Sequence, residues 1–226
     1  MDFKVNAKFK KKLGFDIDSK NIMDAVKATN AVLETLPISL YSSIDFKTLG
    51  AMIGSILCEQ LSVVTGGAVV NPIEKGHPDL IPEAGLGSTE ATLRNYPEGL
   101  EVKGTIGNVA KGANLRAGHK RIQSLTGLTW QAHHREVNNL LGIVWDFANH
   151  KNNFNYPAIT GAFFSEELTT DDWGAISGTE GRNTKVTGMT QSGKQKMGKG
   201  WVLMYNNDPH INKYKKLLNI TNLEER

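Results

Sequence analysis

The sequence predicts an α/β or α+β domain in which a mixed central β-sheet is flanked by helices. Three observations carry that prediction. Apolar residues recur at helical spacing twice in the first third of the 226-residue chain, at Ile22, Val26, Leu33 and Leu36 and again from Phe46 to Val64. Residues 128–133, 140–147 and 158–165 are rich in apolar, β-branched and aromatic side chains and are separated by polar turns, the pattern of strands. A chain of this length supports one well-buried core, so helices and strands are expected to pack together as a single domain spanning 1–226.

Each element has a local reason. After a basic start expected to be mobile, the first helix runs until Pro37, which has no N–H to donate and ends the pattern. Asp45 is placed to cap the second helix. Its stripe of Phe46, Leu49, Ile53, Ile56, Leu57, Leu61 and Val64 faces a sheet and stops near Gly66-Gly67. Segments 77–81 and 99–105 then read as neighbouring strands of a hairpin. Beyond them, Leu115, Ile122 and Leu125 suggest a helix over about 109–125 that is basic on one side. Residues 178–200 are dominated by Gly, Thr, Asn, Gln and Lys, which predicts an exposed loop or β-ribbon.

Composition bounds the function. The net charge of +3 is too small for a protein that simply coats nucleic acid, and it is compatible with positive charge gathered in one cleft. Cys58 is the only cysteine, so no intrachain disulfide can form, and its apolar surroundings suggest a buried thiol in a reducing compartment. No apolar run is long enough to span a bilayer and the N-terminus is unlike a signal peptide, so a cytoplasmic protein without a membrane partner is expected.

The chemistry concentrates in His77-Pro78-Asp79-Leu80-Ile81 and Gly99-Leu100-Glu101-Val102-Lys103-Gly104-Thr105. Alternation along a strand puts Glu101 and Lys103 on one face while Leu100 and Val102 face the core. If Asp79 projects from the adjacent strand at the same level, the two carboxylates form a hard oxygen pocket suited to Mg²⁺, with the Lys103 ammonium facing what the metal polarises. This Pro-Asp, spacer, Glu-x-Lys arrangement resembles the PD-(D/E)XK nuclease superfamily, whose best-known members are type II restriction endonucleases.

That resemblance implies a restriction-endonuclease-like fold and Mg²⁺-dependent hydrolysis of phosphodiester bonds in double-stranded DNA. Asp79 and Glu101, with the backbone carbonyl of Val102, would hold the metal, and Lys103 would orient or deprotonate the attacking water. Glu59, beside the apolar stripe of the second helix, is carried as a fourth acid of the site. Such enzymes act as homodimers on palindromic sites, and the chain's size and motif layout are similar to a rare-cutting member whose target is the A·T-only ATTTAAAT, cut to blunt ends.

Residues able to touch DNA fall in three places. Arg116, Lys120 and Arg121 belong to a basic cluster, Asn152 and Asn153 to a polar loop, and Arg182, Asn183, Lys185, Thr187, Gln191, Lys194 and Gln195 to the 178–200 segment, expected to be the recognition loop. Asn and Gln match adenine edges and Thr the thymine methyl, so the inventory leans toward A·T pairs. Two further classes stay open: a structure-specific repair or recombination nuclease with the same chemistry, and a non-catalytic DNA-binding module. Competing motifs are weaker. Gly188 to Lys194 nearly matches a phosphate-cradling loop, yet Gln195 stands where Ser or Thr would hold Mg²⁺ and no helix is expected to follow. His133 and His134 are adjacent, so they cannot share a helix face as zinc ligands do, and a core or phosphate-contacting role is expected.

Overall fold

The computed structural model describes residues 1–74, 76–110, 115–178, 185–221 and 223. The chain opens with β1 (Phe3–Val5) and a ribbon of β2 (Lys10–Lys12) and β3 (Asp16–Asp18), followed by α1 (Ser19–Thr35), α2 (Ile38–Ser43) and α3 (Phe46–Val64). Strands β4 (Ala68–Val70) and β5 (Leu80–Pro82), the one-turn α4 (Glu90–Leu93), then β6 (Glu101–Thr105), β7 (Asn108–Val109), β8 (Leu125–Gly127) and β9 (Gln131–Ala132) lead to a long hairpin. That hairpin is β10 (Leu140–Lys151) and β11 (Phe154–Ser165), and the chain closes with β12 (Thr187–Gly188), α5 (Gln191–Lys199), β13 (Trp201–Tyr205) and α6 (Asp208–Leu218).

The result is a mixed α/β protein. Its five-stranded sheet has the order β1-β13-β11-β10-β6, with β6 parallel to β10 and the other neighbours antiparallel. Both faces are covered. Ile143, Trp145 and Phe147 of β10 pack with Ile22 and Leu33 of α1 and Leu57 of α3, whereas Val144 packs on the other side with Trp130, Met197 of α5 and Tyr214 of α6. A strand buried on both faces reads as an unbroken apolar run, which is why residues 140–148 contain so few polar positions. Gly142 is required here. A Cβ at that position would lie 2.6 Å from the Trp130 ring, whose indole N–H donates to Ile143 O at 3.1 Å.

Helix boundaries follow the expected signals. The Asp45 side chain accepts from Thr48 N at 2.8 Å at the start of α3, and α1 ends at Thr35, two residues before Pro37. Trp130, Trp145, Trp173 and Trp201 are all core residues, and Cys58 is buried. No helix among the described residues is long and apolar enough to cross a membrane.

Four expectations are corrected. The N-terminal residues form edge strand β1, with Phe3 and Phe9 buried. The described part of 109–125 is not a helix: it runs from β7 through turns to β8, and Gly118, at φ 82°, has Phe154 so close that no side chain fits. Within 178–200, residues 191–199 are α5 rather than loop or ribbon, with Thr190 as its cap. Its single large apolar residue, Met197, left no periodic stripe to read, and Gly198 makes the burial possible by lying against Leu218, where a Cβ would be 2.4 Å from the carbonyl oxygen. Finally, 77–81 and 99–105 do not form a hairpin of the main sheet. β5 pairs with β4, and it meets the start of β6 only through one bridge between Leu80 and Leu100.

Candidate metal-dependent active site

That bridge assembles the site. Leu80 and Leu100 exchange both backbone hydrogen bonds, at 3.0 and 2.9 Å, which ties the Pro78-Asp79 arm to the edge of the sheet. The approach is close enough to require Gly99, at φ 133°, because a Cβ there would lie 2.1 Å from Leu80 O. Asn71 holds the arm from the other side: its N–H donates to Asp79 O at 2.9 Å and its amide to Pro78 O at 3.2 Å.

Because β6 is an edge strand, its outward N–H groups have no neighbouring strand to bond, and Asp79 uses one. Its Oδ2 accepts from Val102 N at 2.7 Å and lies 3.5 Å from Lys103 Nζ. The Lys103 ammonium also pairs with Glu101 Oε1, so one cation bridges the two carboxylates. His77 Nδ1 sits 3.2 Å from the same Glu101 oxygen. Glu101 is 5 % exposed and Lys103 21 %, which makes this cluster partly shielded from water.

Electrostatics follow from that crowding. Burial and the Glu101 charge push the Asp79 carboxyl above its ordinary range, against the pull of Lys103 and the Val102 N–H. Burial opposes ionisation of Glu101 as well, yet His77 and Lys103 overcome it and hold its carboxyl well below the usual range. Lys103 is likewise held charged: burial disfavours the ammonium, and Asp79 and Glu101 outweigh it. His77 is raised by its hydrogen bond to Glu101, and His134 is lowered by burial and by His77.

Two cavities meet at the cluster. The larger, about 980 Å³, runs between one side of α3 and β6, with Asp79 and Lys103 on its wall and Lys47, Gly54, Gln131 and His133 further along. The smaller, about 600 Å³, is lined by His77, Glu101 and His134. Glu101 therefore turns toward the small cavity while Asp79 and Lys103 face the large one, and His77 borders both.

Asp79, Glu101 and Lys103 are brought together. Glu59 is not among them: it is exposed on α3 and does not line the larger cavity, which Ser55 and Cys58 border instead. Among the residues expected at DNA, Arg116 and Lys120 are exposed, but Arg121 is buried, its guanidinium donating to Gly107 O at 3.1 Å and stacking over Phe46. Thr187 is also buried, with its hydroxyl donating to Gly174 O at 2.7 Å. Asn152 and Asn153, at φ 49° and 59°, are the turn of the β10–β11 hairpin, a conformation that asparagine tolerates and that suits the strand twist. Lys185, Gln191 and Gln195 are exposed and Lys194 is half-buried, but none of them lines either cavity. Arg182 and Asn183 lie outside the described residues.

Sequence reasoning missed His77 and His134 as neighbours of the acids. The contact of His77 was legible in principle, since it precedes Pro78-Asp79, whereas His134 arrives from the segment after β9, a juxtaposition that no local spacing encodes. Comparison with protein families, curated proteins and solved structures finds no match to this chain.

Proposed function

We propose that the protein is a PD-(D/E)XK-type endonuclease that hydrolyses phosphodiester bonds of double-stranded DNA with Mg²⁺. The observation that carries this reading is the bridging of Asp79 and Glu101 by the Lys103 ammonium at the free edge of a mixed sheet, beside a cleft. Two carboxylates already converging on one cation form the hard donor set that Mg²⁺ takes, and the ammonium stands in for part of the metal's charge. Asp79 and Glu101 would hold Mg²⁺, with the Val102 carbonyl as an added oxygen. Bound there, Mg²⁺ supplies charge compensation on the phosphate and a water of lowered pKa. Lys103, held charged by its neighbours, would orient the attacking water and offset the charge growing on the phosphate oxygens rather than act as the base.

In this reading the duplex lies along the larger cavity, so the side chains that meet it are Lys47, Gln131 and His133 before those of α5. A homodimer would pair two such sites across a palindrome, one for each strand. The chain's size and motif layout resemble the rare-cutting restriction enzyme SwaI, and on that resemblance the target is ATTTAAAT, cut to blunt ends. The test is incubation of the purified protein with a large defined DNA and Mg²⁺, followed by sequencing of the ends. Discrete fragments sharing one terminus are expected. A random smear would move the protein to the structure-reading nucleases, and an uncut duplex under several divalent metals would leave only a binding module.

A further inference from the structure

We infer that His77, Glu101 and His134 form a second metal site, for a borderline transition-metal ion such as Zn²⁺, on the small-cavity side of Glu101. Each residue offers one ligand atom, and these atoms lie within 4.8 Å of one another. Around a tetrahedral Zn²⁺ with bonds of about 2.0–2.2 Å, neighbouring ligand atoms are roughly 3.4 Å apart. His77 Nδ1 lies 3.4 Å from Glu101 Oε2, the carboxylate oxygen other than the one paired with Lys103, so these two donors already stand at the spacing a tetrahedral ion needs.

Three independent features support the assignment. The His134 Nε2 atom is buried and has no hydrogen-bond partner, a cost that a buried polar atom carries unless a ligand satisfies it. Its other ring nitrogen, Nδ1, lies 3.4 Å from Glu136 Oε2. A carboxylate at that distance favours the tautomer with the proton on Nδ1, which leaves the Nε2 lone pair for a metal, as outer-shell partners of histidine ligands do. The third feature is access: the cavity of about 600 Å³ that these residues line has Glu136 on its wall as well, and it provides both an entry path and room for a water as fourth ligand.

The donor set decides the ion. Two imidazoles and one carboxylate suit Zn²⁺ and its neighbours in the first row, whereas Mg²⁺ prefers oxygen alone. The two sites therefore differ in ligand chemistry while sharing Glu101, and only that sharing rests on the nuclease reading.

The test uses the full chain, stripped of metal by chelator and titrated with Zn²⁺ alone in a calorimeter, with Co²⁺ as a spectroscopic probe of nitrogen ligation. One Zn²⁺ per chain and a visible Co²⁺ absorption band are expected. His134→Ala should lose at least tenfold in affinity with an unchanged far-UV spectrum. Glu136→Gln, which leaves every direct ligand in place, should weaken binding about tenfold, the lower end for an outer-shell partner. Substoichiometric uptake, or affinity within twofold of wild type in both variants, would overturn the site. DNA cleavage does not enter this measurement, so a protein that cuts nothing would sink the nuclease reading and leave this one standing.

Discussion

Replacing Lys103 by alanine tests the cluster as a physical object. The substitution removes the cation that lies 3.5 Å from Asp79 Oδ2 and closer still to Glu101 Oε1, leaving two crowded carboxylates with His77 and His134 beside Glu101. Removing one partner of a fully buried pair costs about 3–5 kcal/mol. Here Lys103 and Asp79 keep 21 % and 31 % of their side-chain exposure, and Asp79 can take up a proton, so screening reduces the expected loss to about 2 kcal/mol. For a chain of this size that corresponds to a fall in Tm of roughly 4–8 °C.

The same arithmetic predicts a metal response. Without its internal cation, the acid pair should gain more from an external one, so saturating Mg²⁺ should raise the Tm of Lys103→Ala by more than it raises that of wild type. Cleavage should nonetheless fall by about 10²–10⁴, because the group that positions the water and balances phosphate charge is gone. Thermal melts in EDTA and in Mg²⁺, run beside a cleavage time course and a duplex-binding assay, measure all of this. A Lys103→Ala protein that melts with wild type in EDTA would refute the electrostatic reasoning, and one that cuts DNA at full rate would refute the role given to Lys103.

Three other outcomes are expected. Asp146 is buried and accepts backbone N–H groups from Arg121 at 2.8 Å, Ile122 at 3.1 Å and Phe147 at 2.7 Å, so Asp146→Ala should cost about 3 kcal/mol, or roughly 6–12 °C in Tm; a change under 2 °C would mean those donors find other partners. His77 is raised by Glu101, so the stability of that pair is present below its unfolded pKa of about 6.5 and is lost as pH rises through the higher folded value. Melts in EDTA should therefore fall more steeply for wild type than for His77→Gln as pH rises above about 6.5, and parallel slopes would contradict the pairing. Lys47 is exposed on the cleft, and Lys47→Ala should weaken duplex binding and lower its salt slope by about 1, whereas Gln195→Ala on α5 should leave both unchanged. The reverse result would put the duplex on the α5 side of the sheet.

Where the chain advertises its own periodicity or punctuation, the sequence was sufficient. Asp45 as a cap, Pro37 as a stop, the apolar run of β10 and the alternation of Glu101 and Lys103 are decided within a few residues, by hydrogen-bonding capacity and side-chain direction. Structure with no local stripe was not legible. Helix α5 has one large apolar residue and folds because Gly198 admits the α6 terminus, and Arg121 is basic in sequence yet buried under Phe46. The site divides in the same way. The type of each acid and base could be read directly, but their meeting depends on Gly99 letting the Pro78-Asp79 arm touch β6 and on the segment after β9 delivering His134. Short-range chemistry is written residue by residue, whereas contacts between distant segments are set by which surfaces remain to be buried once the helices and strands exist, and only the packed chain decides that.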